Sequence, residues 1–354
     1  MEKFKLGLIG CGGMMGNHVK GVNELPDVEI VAICDIVPEN AQKVYEALGN
    51  SPKIVSDYRD LVDDVDGVLI ALPHDLHYQC GMFFARHKKH VLMEKPMCNC
   101  EEECLNLIEA CEEEGVTLMC AYPVRFWPGV VKLKELLDSG EYGETIQMSI
   151  WTEQLTGINL DVTDPHQAWT ISNRLGGGQL FSHGCHYVDI LLWFLGNPVA
   201  GSHFGTKNGT PWMIKEGTSA LVMKFENGVV AYHGATWGAR GTHLGYDFQI
   251  QTEKGMLEYD HREGTVKLYS FNAVHVPGVI ERGAGYSVLW KREGNMSKET
   301  QYEISHFVDC CRTGKEPLTS GRKALQSLRV IWELYDAERN NRIADLRGLG
   351  LENA

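Results

Sequence analysis

The first 120 or so residues alternate short apolar runs with amphipathic stretches. Residues 4–9, 28–35, 67–71, 90–94 and 117–121 read as buried strands, with another short strand near Ile54. Between them, a stretch reaching Leu25, residues 38–48, a segment after Asp57, residues 76–87 and residues 100–114 carry helical spacing, and Pro38 stands where a first turn tolerates it. Strand–helix alternation at this period predicts a doubly wound parallel sheet. Past residue 122 the pattern changes. Residues 128–139 read as a helix, 145–151 as a strand, 153–173 as a polar stretch, and a helical pattern after Gly178 runs to Phe194, where Gly196 and Pro198 stop it. Residues 221–225 and 229–232 flank Asn227-Gly228, a hairpin signal. Residues 248–252, 256–259 and 266–270 extend an antiparallel meander, and two helices, near 305–312 and 322–340, close the chain around Pro317. The expected fold is therefore α/β, with a parallel-sheet domain over 1–122 and an α+β domain with a largely antiparallel open sheet over 123–354. The last helix is expected to pack back towards the first domain.

Composition narrows the function. At 354 residues, two domains are expected; 44% apolar and 23% charged residues suit an ordinary globular protein. A net charge of −14 disfavours nucleic acid and anionic membrane as partners. No apolar run reaches the length of about eighteen residues that a membrane span needs. The strand pattern begins at once, leaving no room for a signal peptide. Most of the 11 cysteines sit in apolar contexts, as Cys34, Cys80, Cys111 and Cys120 do, which suits reduced thiols in a cytoplasm. Cys98, Cys100 and Cys104 cluster and Cys310-Cys311 form a pair, but no paired C-x-x-C spacing accompanies them, so no metal site is expected.

Three stretches carry candidate chemistry. Gly10-Cys11-Gly12-Gly13-Met14-Met15-Gly16 lies between a strand and a helix, the context in which a glycine loop meets a dinucleotide pyrophosphate. Met15 occupies the third position of that pattern, where a small residue is usual. Asp35 ends the second strand, where an acid accepts ribose hydroxyls, and no Arg or Lys in 36–42 stands ready for a 2′-phosphate; NAD is expected over NADP. Glu94-Lys95-Pro96 follows the strand at 90–94, which puts a lysine at the carboxyl rim of a parallel sheet. Gly176-Gly177-Gly178 precedes Ser182, His183, His186 and Asp189; His186 and Asp189 are i,i+3, so a carboxylate could set the tautomer of an imidazole base. Lysine beside a reacting alcohol stabilises developing alkoxide, and a neighbouring histidine can take the proton. His74 and His77 flank the same cleft. Tyr122, Trp151 and Trp169 are candidate flat walls for a ring substrate, and 153–173, with His166, and Arg174 just beyond, is the expected substrate-selecting loop.

Taken together, Gly10–Met14, Leu72-Pro73 followed by His77, Glu94-Lys95-Pro96, Arg125-Phe126, the stretch 176–189 and Pro317 resemble the glucose–fructose oxidoreductase, inositol dehydrogenase and rhizopine-catabolism oxidoreductase (Gfo/Idh/MocA) family, in the family's order and over nearly the whole chain. The resemblance implies a Rossmann domain binding NAD(P), an α/β C-terminal domain, and hydride transfer at a ring hydroxyl of a sugar, glycoside or inositol. It implies Lys95 as the lysine on the reacting hydroxyl and His186 as the base. Gly10, Gly12, Gly13, Met14, Met15, Asp35, Leu72, Pro73, His77, Glu94 and Lys95 would line the cofactor; Tyr122, Arg125, Trp169, Ser182 and His183 would join Lys95 and His186 around the substrate. The sequence departs from the family at Ser182, where many members carry Asp, at Met15, and at Tyr122, where many carry Asn. Two other readings on the same fold are an NAD-dependent glycosidase acting through transient oxidation and elimination, and a non-catalytic sugar- or nucleotide-sensing regulator. A homo-oligomer is expected, because an open sheet leaves an apolar face.

Overall fold

A computed structural model describes residues 2–49, 51–156, 176–270, 281–283, 285–294 and 298–354. The described chain divides into two compact units. The first holds 2–126, Gly176 and Lys298–Leu325; the second holds 127–156, 177–270, 281–283, 285–294 and 326–354.

In the first unit, β1 (Phe4–Ile9), α1 (Met15–Val22), β2 (Val28–Cys34), α2 (Pro38–Ala47), β3 (Lys53–Val55), β4 (Gly67–Ile70), α3 (His77–Arg86), β5 (His90–Glu94), α4 (Glu101–Glu114) and β6 (Leu118–Ala121) follow in order. The sheet is parallel throughout, with strand order β3-β2-β1-β4-β5-β6, so its direction of growth reverses between β1 and β4. Ligands bind at such a switch point, beyond the carboxyl ends of the strands. The helix expected after Asp57 is a single 3₁₀ turn, Tyr58–Leu61. Asp57 caps it by accepting the Arg59 N–H at 3.0 Å, and Asp60, Asp63 and Asp64 deny the segment an apolar stripe long enough for a helix.

In the second unit, α5 (Pro128–Asp138) and β7 (Thr145–Glu153) precede the described half of the glycine-led stretch, which passes through a π turn, Leu180–Gly184, into α6 (Cys185–Leu195). Then come β8 (Pro198–Thr206), β9 (Thr218–Phe225), β10 (Val230–Thr236), β11 (Tyr246–Thr252), β12 (Gly255–Asp260), β13 (Thr265–Ser270), β14 (Glu281–Gly283) and β15 (Tyr286–Lys291). The chain ends with α7 (Thr300–Thr313), α8 (Gly321–Arg339) and β16 (Ala344–Asp345). The sheet has ten strands in the order β14-β15-β13-β12-β11-β7-β10-β9-β8-β16. Its pairings are antiparallel except β7 with β10, which run parallel. Helix α5 covers one face: Gly129 lies so close to the rings of Tyr259 and Trp290 that no side chain fits there.

Helix α7 and the segment after it belong with the first unit, whereas the expected boundary at residue 122 places them with the second. Their partners explain it. Phe307 meets the Phe4 ring edge-on at 6.1 Å, and the Thr300 hydroxyl donates to the Asn17 carbonyl at 3.0 Å. Thr319 exchanges hydrogen bonds with Cys120: its carbonyl accepts the Cys120 N–H at 2.9 Å and its hydroxyl donates to the Cys120 carbonyl at 2.7 Å. That exchange satisfies the outer edge of β6. Of α8, the residues up to Leu325 count with the first unit and the rest with the second. No helix among the described residues is long and apolar enough to cross a membrane.

Candidate active site

The glycine loop leaves β1 at Gly10, whose φ of +83° favours glycine and whose Cβ would collide with the Ala71 carbonyl just past β4. Gly12 and Gly13 differ: nothing stands within 4 Å of where their Cβ atoms would be. Their backbone is bare and open, at the entry to α1, as a pyrophosphate needs. Met15 does not obstruct this. Its side chain is fully buried in the core with Leu8 and Val19, and its N–H donates to the Gly12 carbonyl at 3.1 Å. Met14 is half-buried. Asp35 closes the loop from the side: Oδ2 accepts the Cys11 N–H at 2.6 Å and Oδ1 the Val37 N–H at 2.8 Å. Burial, then the Asp35 charge, pushes the Cys11 and Cys34 thiols up to about 12, so both stay protonated. This loop, with its bare glycines and its acid, fits a dinucleotide.

The rim beyond β4 and β5 is braced from below. His77 is fully buried; its Nδ1 lies 2.9 Å from the Pro96 carbonyl and its Nε2 2.9 Å from the Leu72 carbonyl. Burial lowers its pKa against those carbonyls. Its ring thus ties the loop carrying Leu72 and Pro73 to the loop carrying Lys95 and Pro96, whose peptide bond is cis. Lys95 is half-buried. Glu94, before it, is 5% exposed, with Oε1 2.7 Å from His18 Nε2 and Oε2 accepting the Lys95 N–H at 3.1 Å. Burial raises the Glu94 carboxyl, but the His18 hydrogen bond and charge, the Lys95 ammonium and the Lys95 N–H outweigh it and leave it at about 2. Tyr122, after β6, is fully buried, and Arg125 in the following 3₁₀ turn donates from Nη1 to the Leu318 carbonyl at 3.1 Å.

In the second unit, the π turn and α6 carry Ser182, His183 and His186. No side chain within the turn caps its start. Glu216 and Tyr335 cap it instead. Glu216 Oε1 accepts the Leu180 N–H at 3.2 Å and the Tyr335 hydroxyl proton, and its carbonyl accepts the Gln179 N–H at 2.8 Å. The Tyr335 oxygen accepts the N–H groups of Gly178 and Phe181 at 3.3 and 3.2 Å. A Cβ on Gly178 would collide with the Glu216 carboxylate, which gives a glycine at this place its physical reason. His186 is buried, and the half-buried His183 ring stands 5.7 Å from it, edge-on. His183 is ringed by Tyr187, Trp237 and Tyr246 at 5.4, 6.3 and 6.0 Å. Asp189 is fully buried and faces the Ser327 hydroxyl at 3.4 Å. Ser182 is buried, with its N–H on the Gly178 carbonyl at 2.9 Å. Trp169, His166 and Arg174 lie outside the described residues.

The sequence reading missed His18, Glu303, Glu216, Tyr335, Trp237 and Tyr246. Two of them carry a signal in hindsight. Glu303 interrupts the apolar side of α7, among Ile304, Phe307 and Val308, and His18 does the same on α1.

A bare glycine cradle at a topological switch point, with an ionised Glu94 and the adjoining Lys95 on the rim beside it, is the framework of a nicotinamide-dependent oxidoreductase. Sequence comparison agrees: the chain belongs to the Gfo/Idh/MocA family, with residues 4–122 matching the oxidoreductase family, NAD-binding Rossmann fold, and residues 130–258 the GFO/IDH/MocA C-terminal domain. Among similar proteins, inositol 2-dehydrogenase of Salmonella typhimurium is 31% identical over 72% of this chain and 73% of its own length. The scyllo-inositol 2-dehydrogenase (NAD(+)) of Bacillus subtilis is 24% identical over 93% and 92%. D-xylose 1-dehydrogenase (NADP(+)) 2 of Haloferax volcanii is 24% identical over 96% and 99%. The fold matches that of levoglucosan dehydrogenase in complex with NADH, with a TM-score of 0.84 at 20% identity over 98% of this chain and 99% of that one.

Proposed function

We propose that the protein oxidises a ring hydroxyl of a sugar, glycoside or inositol, passing the hydride to NAD, as a cytoplasmic homo-oligomer. The observation that carries this reading is the rim of the first unit: the open glycine backbone, Asp35, and Lys95 set beside an ionised Glu94. Gly10, Gly12, Gly13 and Met14 would hold the pyrophosphate by their backbone, Asp35 the ribose hydroxyls, and Leu72 and Pro73 the flank of the cofactor. When bound, NAD supplies the hydride acceptor. The Lys95 ammonium stabilises negative charge developing on the reacting oxygen, and His186 takes the hydroxyl proton. His183, Trp237 and Tyr246 supply apolar ring faces suited to the C–H side of a pyranose or cyclitol. Tyr122 and Arg125 serve this rim from beneath, and Ser182, a shorter side chain than the family's Asp, leaves room for a different substituent or stereochemistry at the reacting carbon. Named relatives are dehydrogenases, which favours net oxidation over the glycosidase and sensor readings.

A panel of sugars, glycosides and inositols with NAD and NADP, followed at the NADH absorbance, tests this. On the best substrate, His186→Ala is expected to lower turnover by roughly two to four orders of magnitude with little change in NAD affinity. Lys95→Ala costs turnover as well, Lys95→Arg does not restore it, and the two losses are strongly non-additive. Near-normal turnover in both alanine variants would put the active site elsewhere.

A further inference from the structure

Behind Glu94 the first unit buries a group of charges that the proposed reaction does not use. His18 on α1 is fully buried, with Nε2 on Glu94 Oε1 at 2.7 Å. Its other nitrogen, Nδ1, faces Glu303 Oε1 on α7 at 3.8 Å. Glu303 is fully buried too, and neither of its oxygens has a hydrogen-bond partner among the described residues. Three elements from distant parts of the chain therefore converge to line up carboxyl, imidazole and carboxyl, ending on the residue before Lys95. A buried acid without a partner is costly, and a helix that keeps one facing an imidazole does so against the free-energy gradient.

We propose that His18 and Glu303 are positioning residues for Lys95: they hold Glu94 in place and keep the negative charge beside the Lys95 ammonium at one. Glu94 Oε1 needs the Nε2 proton of His18. One further proton then serves the Nδ1 side, either on His18 with Glu303 ionised or on Glu303 with His18 neutral. Both arrangements give the trio a single negative charge, matched by Lys95. Loss of that shared proton leaves two negative charges facing the Lys95 and Lys298 ammoniums, and strengthens the pull of Glu94 on Lys95. Among the described residues, the other charged or titratable groups bearing on the trio are Lys298, whose Nζ lies 3.5 Å from Met14 Sδ in the glycine loop, and His77. Burial and then the Glu94 charge push the Glu303 carboxyl well above the ordinary range, against Lys298, in keeping with a proton retained there.

The kinetic part of the test rests on the dehydrogenase reading; the spectroscopic part does not. In the full-length protein, His18→Leu removes the donor to Glu94, His18→Gln keeps an N–H donor, and Glu303→Gln removes the acid at nearly constant shape. His18→Leu is expected to lower kcat about 100-fold, as for a catalytic group displaced by an ångström, with a smaller change in KM; His18→Gln recovers most of it. In the wild type, turnover falls on the alkaline side as the shared proton leaves. Glu303→Gln cannot exceed one negative charge, so that limb moves up by about one pH unit or more. Wild-type kcat in His18→Leu, or in both His18 variants, overturns the role of His18; an unmoved alkaline limb in Glu303→Gln overturns that of Glu303. Carboxyl-13C-glutamate NMR gives an answer without turnover. The resonance that disappears in Glu303→Gln should titrate above the ordinary carboxyl range and shift its midpoint in His18→Gln. Titration of Glu303 as an ordinary exposed carboxyl would overturn the chain even in a protein active on polyols. An inactive wild type with the shifted Glu303 resonance would overturn only the dehydrogenase reading.

Discussion

Asp35 shows how one side chain serves both the fold and the choice of cofactor. Its two oxygens take N–H groups from the glycine loop and from the turn into α2, at 2.6 and 2.8 Å, and a carboxylate with two such bonds keeps acceptor capacity that ribose hydroxyls could use. A 2′-phosphate would meet that carboxylate with no Arg or Lys in 36–42 to offset it. NAD is therefore expected to bind more tightly than NADP. Asp35→Ala should narrow the gap, and weaken both cofactors, because the Cys11 N–H loses its acceptor. Titration of both cofactors into the two proteins checks this, and equal affinities in the wild type would remove Asp35 from the specificity argument. Its place at the end of the second strand was legible from spacing alone. Its grip on Cys11 was not, because that depends on β1 and β2 being neighbours in register. The same limit hid the trio: His18, Glu94 and Glu303 are separated by 76 and 209 residues, and local patterns carry no information at that range.

At the scale of elements, the helix bearing His186 depends on residues far from it in sequence. Its first turn is held by Glu216, from the loop before β9, and by Tyr335 of α8. Tyr335→Phe removes a donor to Glu216 and an acceptor for two N–H groups, and should cost about 1–3 kcal/mol of stability. The pH dependence has a definite sign. Burial raises the Glu216 carboxyl, against the Tyr335 hydrogen bond, so the stability it contributes is full in acid and is lost as pH rises through its folded pKa. Without the tyrosine hydroxyl the ionised form loses its main support. The deficit of Tyr335→Phe is then larger at neutral pH than at pH near 4.5, the carboxyl's ordinary value. Denaturant unfolding at both pH values measures it, and a deficit that does not vary with pH would show that Glu216 is not coupled to Tyr335. The strand–helix alternation of the first unit and the hairpin at Asn227-Gly228 could be read from sequence because their signals are local. Strand β8 could not: two glycines and a leading proline, PVAGSHFGT, blur its alternation, and it is defined by pairing with β9 and β16.

At the scale of the whole molecule, the outer face of the ten-stranded sheet carries an apolar field among the described residues. Register places Phe204, Ala220, Gly234 and Trp151 in one row across β8, β9, β10 and β7, with Ser202, Val222, Tyr232 and Ser149 in the next. Trp151 lies flat over Gly234, where no side chain would fit. Phe204 is 71% exposed, Val222 40% and Tyr232 37%. The opposite parity on the same strands, Leu221, Met223, Ala231, Met148 and Ile150, is buried. Further along, the outer face turns polar through Gln249, Gln251 and Glu258. An apolar field rimmed by polar positions is the anatomy of an interface, and a self-complementary patch on a sheet is satisfied most simply by a second copy about a two-fold axis. A stable contact of this kind removes about 800 Å² from each partner, which four or five strands can supply. The protein is therefore expected to sediment as a dimer, or as a larger assembly built from dimers, at micromolar concentration. Val222→Glu puts a charge in the centre of the field without touching the buried face, and should shift the assembly towards monomer while leaving the far-ultraviolet spectrum unchanged. A wild-type monomer, or a Val222→Glu assembly as tight as the parent, would assign this face to solvent and require another surface for any association.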